Sequence, residues 1–158
     1  MKSRIVIDEN GNKFWMLPNT SMFHRENGPA AELSCGGKHW YNNGQRHRED
    51  GPAEIGADGR KEWWVNDVRH REDGPAIVWA NGRKEWWLND NLHREDGPAI
   101  IGADGRKEWW VNDIRHREDG PADVWADGRK EWWLNDIKCT ERRYKQIMRN
   151  IKLKELLQ

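Results

Sequence analysis

The phrase His-Arg-Glu-Asp-Gly-Pro-Ala, with Asn for Asp in its first copy, returns along the chain every 23 residues. It begins at His24, His47, His70, His93 and His116, and the copies run without a gap over residues 24–138. A fixed period of this length is typical of tandem repeat proteins, in which each copy adopts the same local fold and packs on its neighbours. The period therefore determines the architecture before any single residue is considered.

Within each copy, turn residues separate short runs of strand composition. In the third copy, Asn81-Gly82 lies between the strand-like runs 76–80 and 83–89, and residues 89–98 connect to the next hairpin. Asn-Gly and Asp-Gly favour a two-residue type I′ turn, because both central residues take positive φ. Gly and Pro recur too often for a helix. The sequence predicts an all-β fold, an elongated single-layer antiparallel sheet of tandem β-hairpin repeats, followed by a C-terminal α-helix.

The two-residue turn also predicts a register in which Ala80 pairs with Arg83. One face would then carry Trp79, Lys84, Trp86 and Leu88, and the other Val78, Glu85, Trp87 and Asn89. Residues at the positions of Trp79 and Leu88 change size together between copies, and residues 47–92 and 93–138 are identical at 40 of 46 positions. We therefore expect Trp79 and Trp125 to lie over the space left by Gly in adjacent copies.

The two ends of the chain differ from the repeats. Residues 1–23 resemble a half-repeat, with strand-like runs on either side of Asp8–Gly11, and are predicted to cap the first copy. Residues 139–158 contain no Gly or Pro, and Thr140 is a suitable N-cap for an amphipathic basic helix. We expect this helix to pack on the last hairpin and cover its edge; the alternatives are a partner-binding or self-associating helix, and membrane binding.

Composition narrows the class of protein. Hydrophobic residues make up 35% and the mean hydropathy is −1.14, values that suggest disorder, but twelve Trp argue for a thin folded array. Residues 24–138 carry 18 Lys and Arg against 23 Asp and Glu, a net charge of −5 that disfavours nucleic acid as a partner. The sequence shows no signal peptide or apolar span, and Cys35 and Cys139 suggest no disulfide framework. We therefore expect a cytoplasmic protein without membrane contact.

The segment WYNNGQRH at residues 40–47, followed by Gly51, resembles the MORN repeat and its bacterial variant. MORN repeats also span about 23 residues, with an aromatic strand, an Asn-Gly turn, a basic residue, His and Gly. The HREDGPA and Trp-Trp form is similar to a sub-type associated with hypothetical proteins of bacteriophages and large viruses. This chain departs from MORN in having Asn-Asp at residues 66–67, 89–90, 112–113 and 135–136, and Trp in place of most Tyr. The resemblance implies a scaffold that binds protein or dimerises, and a viral origin with a host protein as target.

The repeated His-Arg-Glu-Asp is the best candidate for chemistry. Stacked copies would align His47, His70, His93 and His116 with neighbouring Glu, a pattern that suits a divalent metal. We favour a structural role, in which each Arg pairs with a nearby carboxylate and Asp accepts a local amide. An active site usually breaks repeat symmetry, and no nucleophile set or phosphate loop is present. The sequence predicts neither an enzyme nor a bound cofactor or metal.

The Trp residues admit several interpretations. They are expected chiefly to stack between copies, while a partly exposed set would bind protein, because Trp and Arg dominate interface hot spots. Choline-binding repeats also use aromatic cages, but they are secreted and rich in Gly-Trp. The candidate binding residues are Trp63, Trp79, Trp86, Trp109, Trp125, Trp132, Arg71, Arg94 and Arg117. The sequence thus predicts a non-catalytic binding or scaffold protein. Two alternatives stay open: a sponge for a nucleotide signal, or a self-assembling protein that dimerises through a sheet edge or the C-terminal helix.

Overall fold

The computed structural model describes residues 3–157, which form 21 short strands and one α-helix. The strands of the first half are β1 (Arg4–Ile7), β2 (Lys13–Met16), β3 (Ala31–Glu32), β4 (Lys38–His39), β5 (Tyr41–Asn42), β6 (Gln45–Arg46), β7 (Glu54–Ile55), β8 (Lys61–Glu62), β9 (Trp64–Val65), β10 (Val68–Arg69) and β11 (Ile77–Val78). Those of the second half are β12 (Lys84–Glu85), β13 (Trp87–Leu88), β14 (Asn91–Leu92), β15 (Ile100–Ile101), β16 (Lys107–Glu108), β17 (Trp110–Val111), β18 (Ile114–Arg115), β19 (Asp123–Val124), β20 (Lys130–Leu134) and β21 (Ile137–Cys139). The helix α1 spans Glu141–Glu155.

Thirteen of the strands belong to one antiparallel main sheet, which confirms the predicted all-β fold. The described chain divides into two compact units, residues 3–82 with 87–90 and residues 83–86 with 91–157. The main-sheet order in the first unit is β1-β2-β3-β4-β7-β8-β11, and in the second β12-β15-β16-β19-β20-β21. The order follows the chain because each repeat adds one hairpin beside the preceding one.

The remaining strands form small side hairpins, which the sequence did not predict. In the second copy, β9 pairs with β10 as a separate two-stranded sheet around Asn66-Asp67. Asn66 and Asp67 have φ of 52° and 62°, so this Asn-Asp pair is the type I′ turn of the repeat. The predicted continuous strand 83–89 is therefore wrong: it is broken at Trp86, between β12 and β13. The chain leaves the main sheet at this Trp to make the side hairpin.

The Asp-Gly turns of the main sheet also differ from the prediction. In the fourth copy, Ile100 pairs with Glu108 and Ile101 with Lys107, and the Gly102 N–H donates to the Arg106 carbonyl at 2.8 Å. The loop therefore has three residues, 103–105, with Gly105 at φ 87°. A type I turn followed by one residue at positive φ is the usual form of such a loop.

This extra loop residue reverses the predicted assignment of faces, because a shift of one residue moves every side chain to the other side of a sheet. Trp125 pairs with Arg129, not with a residue at the position of Lys130. Trp79 lies across the sheet from Arg60, with the guanidinium carbon 4.0 Å from its ring centroid. The side chains of Asp58 and Arg60 are the nearest atoms to a Cβ at Gly56, at 2.6 and 3.6 Å, so Trp79 does not cover that glycine directly.

Two sets of buried residues form the core. Ala30, Ala53, Ala76, Ala99 and Ala122, the last residue of each repeated phrase, have no exposed surface. The second set lies on the opposite side of the strands and combines aliphatic residues with acids: Glu62, Ile77, Glu85, Ile100, Glu108 and Asp123. We call this set the carboxylate face. A thin core of this kind explains how so polar a chain still folds, since large aromatic and arginine side chains complete the packing.

The helix α1 begins where the sequence predicts. The Thr140 side chain accepts a hydrogen bond from the Arg143 amide, and Tyr144 is only 6% exposed. Contacts with β20 show that α1 packs on the last hairpin, as expected. Beyond Asn150 every described residue of the helix and its end is exposed, including Leu153, Leu156 and Leu157. Within residues 3–157, no helix has the length and apolar character needed to span a membrane.

Candidate functional site

The five segments that begin at His24, His47, His70, His93 and His116 form loops between the main-sheet hairpins, and we call them the HRED loops. In the third, Arg71 lies flat over Trp63, with its guanidinium carbon 4.0 Å from the ring centroid. The same arginine donates from Nε to Asp73 at 2.7 Å and from Nη1 to the Pro75 carbonyl at 3.2 Å. Gly74 leaves room for the side chain, because a Cβ there would lie 3.0 Å from the guanidinium carbon. The sequence Arg-Glu-Asp-Gly-Pro thus builds one arginine clamp.

The same stack recurs in every copy. The guanidinium-to-ring distances are 3.8 Å for Arg25 and Trp15, 4.2 Å for Arg48 and Trp40, 4.1 Å for Arg94 and Trp86, and 3.8 Å for Arg117 and Trp109. Cation–π contacts of this kind contribute roughly 0.5–2 kcal/mol each, with the larger values at desolvated sites. The arginine of the repeated phrase therefore has a structural role, because it joins its own copy to the tryptophan of the segment before it.

The histidine of each HRED loop supports the side hairpin of its copy. His93 Nδ1 accepts a hydrogen bond from the Asn112 amide at 3.3 Å, and His116 Nδ1 accepts one from the Asn135 amide at 3.2 Å. The same His93 Nδ1 atom lies 2.8 Å from Asn112 Oδ1, so the backbone and the side chain of this asparagine both lie against Nδ1. The His93 Nε2 atom lies 3.8 Å from Glu95. The histidines are thus held by the Asn-Asp turns.

The predicted metal alternative gains no support from this arrangement. Each His Nε2 atom lies within 3.4–3.8 Å of one Glu two residues later, at Glu49, Glu72, Glu95 and Glu118. A structural metal site needs three or four ligands from the protein. Across residues 3–157, no group of three or more His, Cys, Asp or Glu side chains is placed to hold an ion.

Open grooves lie between consecutive HRED loops. One in the first unit has the loop from Arg48 to Pro52 as one wall, the loop from His70 to Asp73 as the other, and Trp63 with Val65 as its floor. A groove in the second unit repeats this arrangement between the loops at Arg94 and His116, over Trp109 and Val111. A third, in the first unit, lies between the loops at His24 and His47. The repeat thus builds the same concave surface several times.

Exposed carboxylates line the rim of these grooves. The Glu side chains of four loops are between 64% and 87% exposed, and the neighbouring Asp side chains are about as exposed. The hydrogen bond from Arg71 and then its positive charge lower the pKa of Asp73 from its ordinary value, and Arg48 and Arg94 act in the same way on Asp50 and Asp96. In the four loops that contain Asp, the arginine pairs with that Asp and the exposed Glu adds a second negative charge, so the groove rim is negative at neutral pH.

The structure brings together six of the nine predicted binding residues. Arg71 stacks on Trp63, Arg94 on Trp86 and Arg117 on Trp109, and these side chains form the grooves or their supports. Trp79 and Trp125 lie elsewhere, at the Gly-containing turns, where Arg60 and Arg106 stack on them. Trp132 lies in the last hairpin beside α1, with its carbonyl accepting from Cys139 Sγ. We expected tryptophan side chains to stack between copies, and the structure stacks an arginine of one copy on a tryptophan of the neighbouring copy.

A second arginine series, absent from the predicted site, lies over the carboxylate face. Arg69 is 4.9 Å from the rings of both Trp64 and Trp87, and Arg115 lies between Trp110 and Trp133 at 4.4 and 4.6 Å. The signals in the sequence were the Trp-Trp pairs and the arginine before three of the five repeat histidines, Arg46, Arg69 and Arg115. The pairing could not be read from it, because the side hairpins were not predicted.

The acids of the carboxylate face are shielded by these arginines. Arg115 lies 3.6 Å from Glu108 and 3.4 Å from Asp123, and Arg106 lies 3.3 and 3.7 Å from the same two side chains. Burial raises the pKa of Asp123, and the positive charge of Arg115 partly opposes this. Burial likewise raises the pKa of Glu62. These groups are enclosed and paired, so they serve the fold, and the exposed HRED grooves remain the candidate site.

Each Asn-Asp turn also links consecutive copies. The Asp67 N–H donates to the Arg46 carbonyl at 3.0 Å, while its carboxylate accepts from the Arg46 amide at 2.9 Å. Asp90 and Arg69, Asp113 and Leu92, and Asp136 and Arg115 repeat the link. The Asp of each Asn-Asp pair therefore has a role that the Gly of Asn43-Gly44 in the first copy cannot fill, since glycine has no carboxylate with which to hold the preceding copy.

Comparison with known proteins adds no assignment to this geometry. The sequence matches no protein-family model and no curated protein.

Proposed function

We propose that the chain is a non-catalytic protein-binding repeat protein whose binding surface is formed by the grooves between HRED loops. The observation that carries this proposal is the repetition of one groove, with a tryptophan floor and a rim of exposed carboxylates, along the copies. Several equal grooves suit a partner that makes several equal contacts. Contacts that are weak singly then add through a high effective concentration.

The charge of the grooves indicates the chemistry of the partner. Each HRED loop after the first offers an exposed Glu beside an arginine that donates to Asp and to a proline carbonyl, as Arg94 does to Asp96 and Pro98. The exposed carboxylates around this guanidinium repel a phosphate or another anion. A partner with a basic surface fits better than a nucleotide signal. The family resemblance favours a host protein in the cytoplasm as that partner.

Repetition also favours binding over catalysis. The His and Glu side chains on the groove surfaces recur with the same partners in four copies, such as His70 with Glu72 and His93 with Glu95. A catalytic site needs an acid and a base in different environments, so that their pKa values differ. Equal copies supply equal environments.

Capture from a lysate with matched charge variants tests the proposal. The loop variant carries Glu72→Gln, Glu95→Gln and Glu118→Gln, which remove three exposed groove charges. The control variant carries Asp58→Asn, Asp104→Asn and Asp127→Asn, which remove three charges at the main-sheet turns. Asn81 occupies the equivalent turn position in the third copy, so Asn is compatible with this turn.

We expect one or more proteins to be captured by the wild type and by the turn control, and to be lost or reduced several-fold with the loop variant. Each exposed charge contact is worth roughly 0.2–1 kcal/mol, so three removed together give a measurable change. Capture that is equal for all three proteins would contradict the groove as the binding surface. Capture of no protein at all would contradict the function itself.

A further inference from the structure

The helix α1 stands where a sixth HRED loop would begin. Cys139 lies 23 residues after His116, and Thr140 follows in the position that holds arginine in the five loops. The helix starts at the next residue, Glu141. The HRED loop that begins at His116 therefore faces α1 where the other loops face the next loop.

Tyr144 is the buried residue of this helix, and its surroundings match the wall of an open groove. It is 6% exposed and its hydroxyl is buried, and the Gly120 backbone and the charges of Asp119, Arg117 and Glu118 influence the pKa of that hydroxyl. Burial raises the pKa of this hydroxyl. The helix also packs on β20, the strand that carries Trp132, the equivalent of the groove floors Trp63 and Trp109. An aromatic side chain thus occupies the last groove of the chain.

The residues around Tyr144 supply the complementary charge. Arg142, Arg143, Lys145 and Arg149 lie on the exposed surface of α1 or at its edge, and residues 139–158 carry a net charge of +4. Counting Arg, Asp and Glu, each of the four HRED loops that begin at His47, His70, His93 and His116 carries one more acid than base. A basic helix beside an acidic loop is favourable, and the attraction weakens with salt.

We propose that the open grooves bind the same kind of group, an aromatic side chain presented by a basic helix of a partner protein. This inference rests on the proposed protein-binding function and specifies its partner. The chain supplies the template: Tyr144 in the closed groove next to the loop Arg117–Gly120, and the equivalent loops Arg48–Gly51 and Arg94–Gly97 beside open grooves. A tyrosine anchor in a pocket with basic residues at the rim is a common arrangement of interface hot spots.

A peptide with the sequence of residues 140–157 provides the probe, titrated into the full-length protein. It contains tyrosine but no tryptophan, so the fluorescence of the protein reports binding near Trp63 and Trp109. We expect saturable binding of more than one peptide per chain, weakened at least tenfold when the peptide carries Tyr144→Ala. A second control peptide, with Arg142→Gln, Arg143→Gln and Lys145→Gln, should bind more weakly and with less dependence on salt.

Several outcomes would overturn the inference. The first is that no peptide binds at millimolar concentration, and the second is that the Tyr144→Ala peptide binds as tightly as the unchanged peptide. The third is that only one peptide binds per chain and that it binds more tightly to a full-length Tyr144→Ala variant than to the wild type. The last result would mean that the peptide only replaces the chain's own helix. If the free protein is a dimer and the peptide dissociates it, the grooves bind a second copy of this chain and not a different partner. If the peptide fails while lysate capture still depends on the loop glutamates, this inference falls and the proposed function stands.

Discussion

Arg115 Nη1 lies 3.4 Å from Asp123 Oδ2, and the Asp123 side chain is completely removed from solvent. The copy before holds the same two positions with Leu92 and Ile100, which are 7% and 8% exposed. An ion pair and an apolar pair are thus alternative solutions to one site in the repeat. A buried ion pair is not in itself strongly stabilising, because desolvation offsets most of the attraction.

The natural apolar pair suggests a direct test. Replacing Arg115→Leu alone leaves the buried Asp123 carboxylate with Arg106 at 3.7 Å, and should lower the free energy of unfolding by about 3 kcal/mol. Arg115→Leu combined with Asp123→Ile should come within about 1 kcal/mol of the wild type. Urea unfolding of the two single variants and the double variant measures the difference. A double variant whose loss equals the sum of the single losses would contradict this explanation.

The aspartates of the HRED loops should make the fold sensitive to acid. Arginine lowers the pKa of Asp73 and of Asp96 below the ordinary value of 3.8. A lowered pKa in the folded state contributes stability above the ordinary value, and that contribution is lost as the pH falls through the folded value. A variant with Asp73→Asn and Asp96→Asn should therefore be less stable than the wild type between about pH 5 and 7, with the deficit vanishing near about pH 2.

Asp123→Asn should show the opposite sign in the same urea experiments. Burial raises the pKa of Asp123, so the folded state holds this proton more tightly than the unfolded chain. Its ionisation costs stability as the pH rises from 3.8 through the folded value, and that cost is absent below 3.8. The variant should therefore gain relative to the wild type as the pH rises. Parallel pH profiles for the loop variant and Asp123→Asn would refute both assignments.

Because the Asn-Asp turns link consecutive copies, replacing Asp113 by Gly and replacing it by Asn should lower the stability by different amounts. Asp113 Oδ1 accepts from the Leu92 amide at 2.7 Å while its own N–H donates to the Leu92 carbonyl. Asp113→Gly fits the φ of 60° but removes the acceptor, and should cost about 1 kcal/mol. Asp113→Asn keeps an acceptor and tolerates positive φ, so it should cost less. Thermal unfolding of both variants measures the order, and a more stable Gly variant would show that backbone strain outweighs the link between copies.

The repeat period and the helix could be predicted from the sequence, but the register could not. Asp-Gly suits both a two-residue turn and a three-residue loop, because each needs Gly at positive φ. The choice between them rests on the pairing of Gly102 with Arg106, which no local residue pattern specifies. The one-residue error then placed Trp79 on the wrong face. The strand break at Trp86 has no Gly or Pro to mark it, since Lys-Glu-Trp-Trp-Leu has strand composition throughout.

The sequence predicted most of the residues that form the candidate site, but it did not predict which of them contact one another. Trp63 and Arg71 were both candidate binding residues, and each was expected to pair elsewhere, the tryptophan with other copies and the arginine with a carboxylate. The structure joins them because the HRED loop runs back along Trp63, whose N–H donates to the Ala76 carbonyl and whose carbonyl accepts from the His70 amide. This return depends on the Gly-Pro turn. The composition of the sequence does not reveal the direction in which that turn sends the chain.

Gly97 offers a test of the arginine clamp. A Cβ at this position would lie 3.0 Å from the guanidinium carbon of Arg94, which is stacked 4.1 Å above Trp86 and donates from Nε to Asp96. Gly97→Ala should therefore displace the arginine and lower the free energy of unfolding by about 1–2 kcal/mol, the worth of one stack with its charged hydrogen bond. In the background of Arg94→Ala the same substitution should be nearly neutral, since nothing remains to be displaced. Urea unfolding of the four proteins gives the coupling energy, and a cost for Gly97→Ala that is the same with and without Arg94 would mean that the glycine is required by the backbone alone.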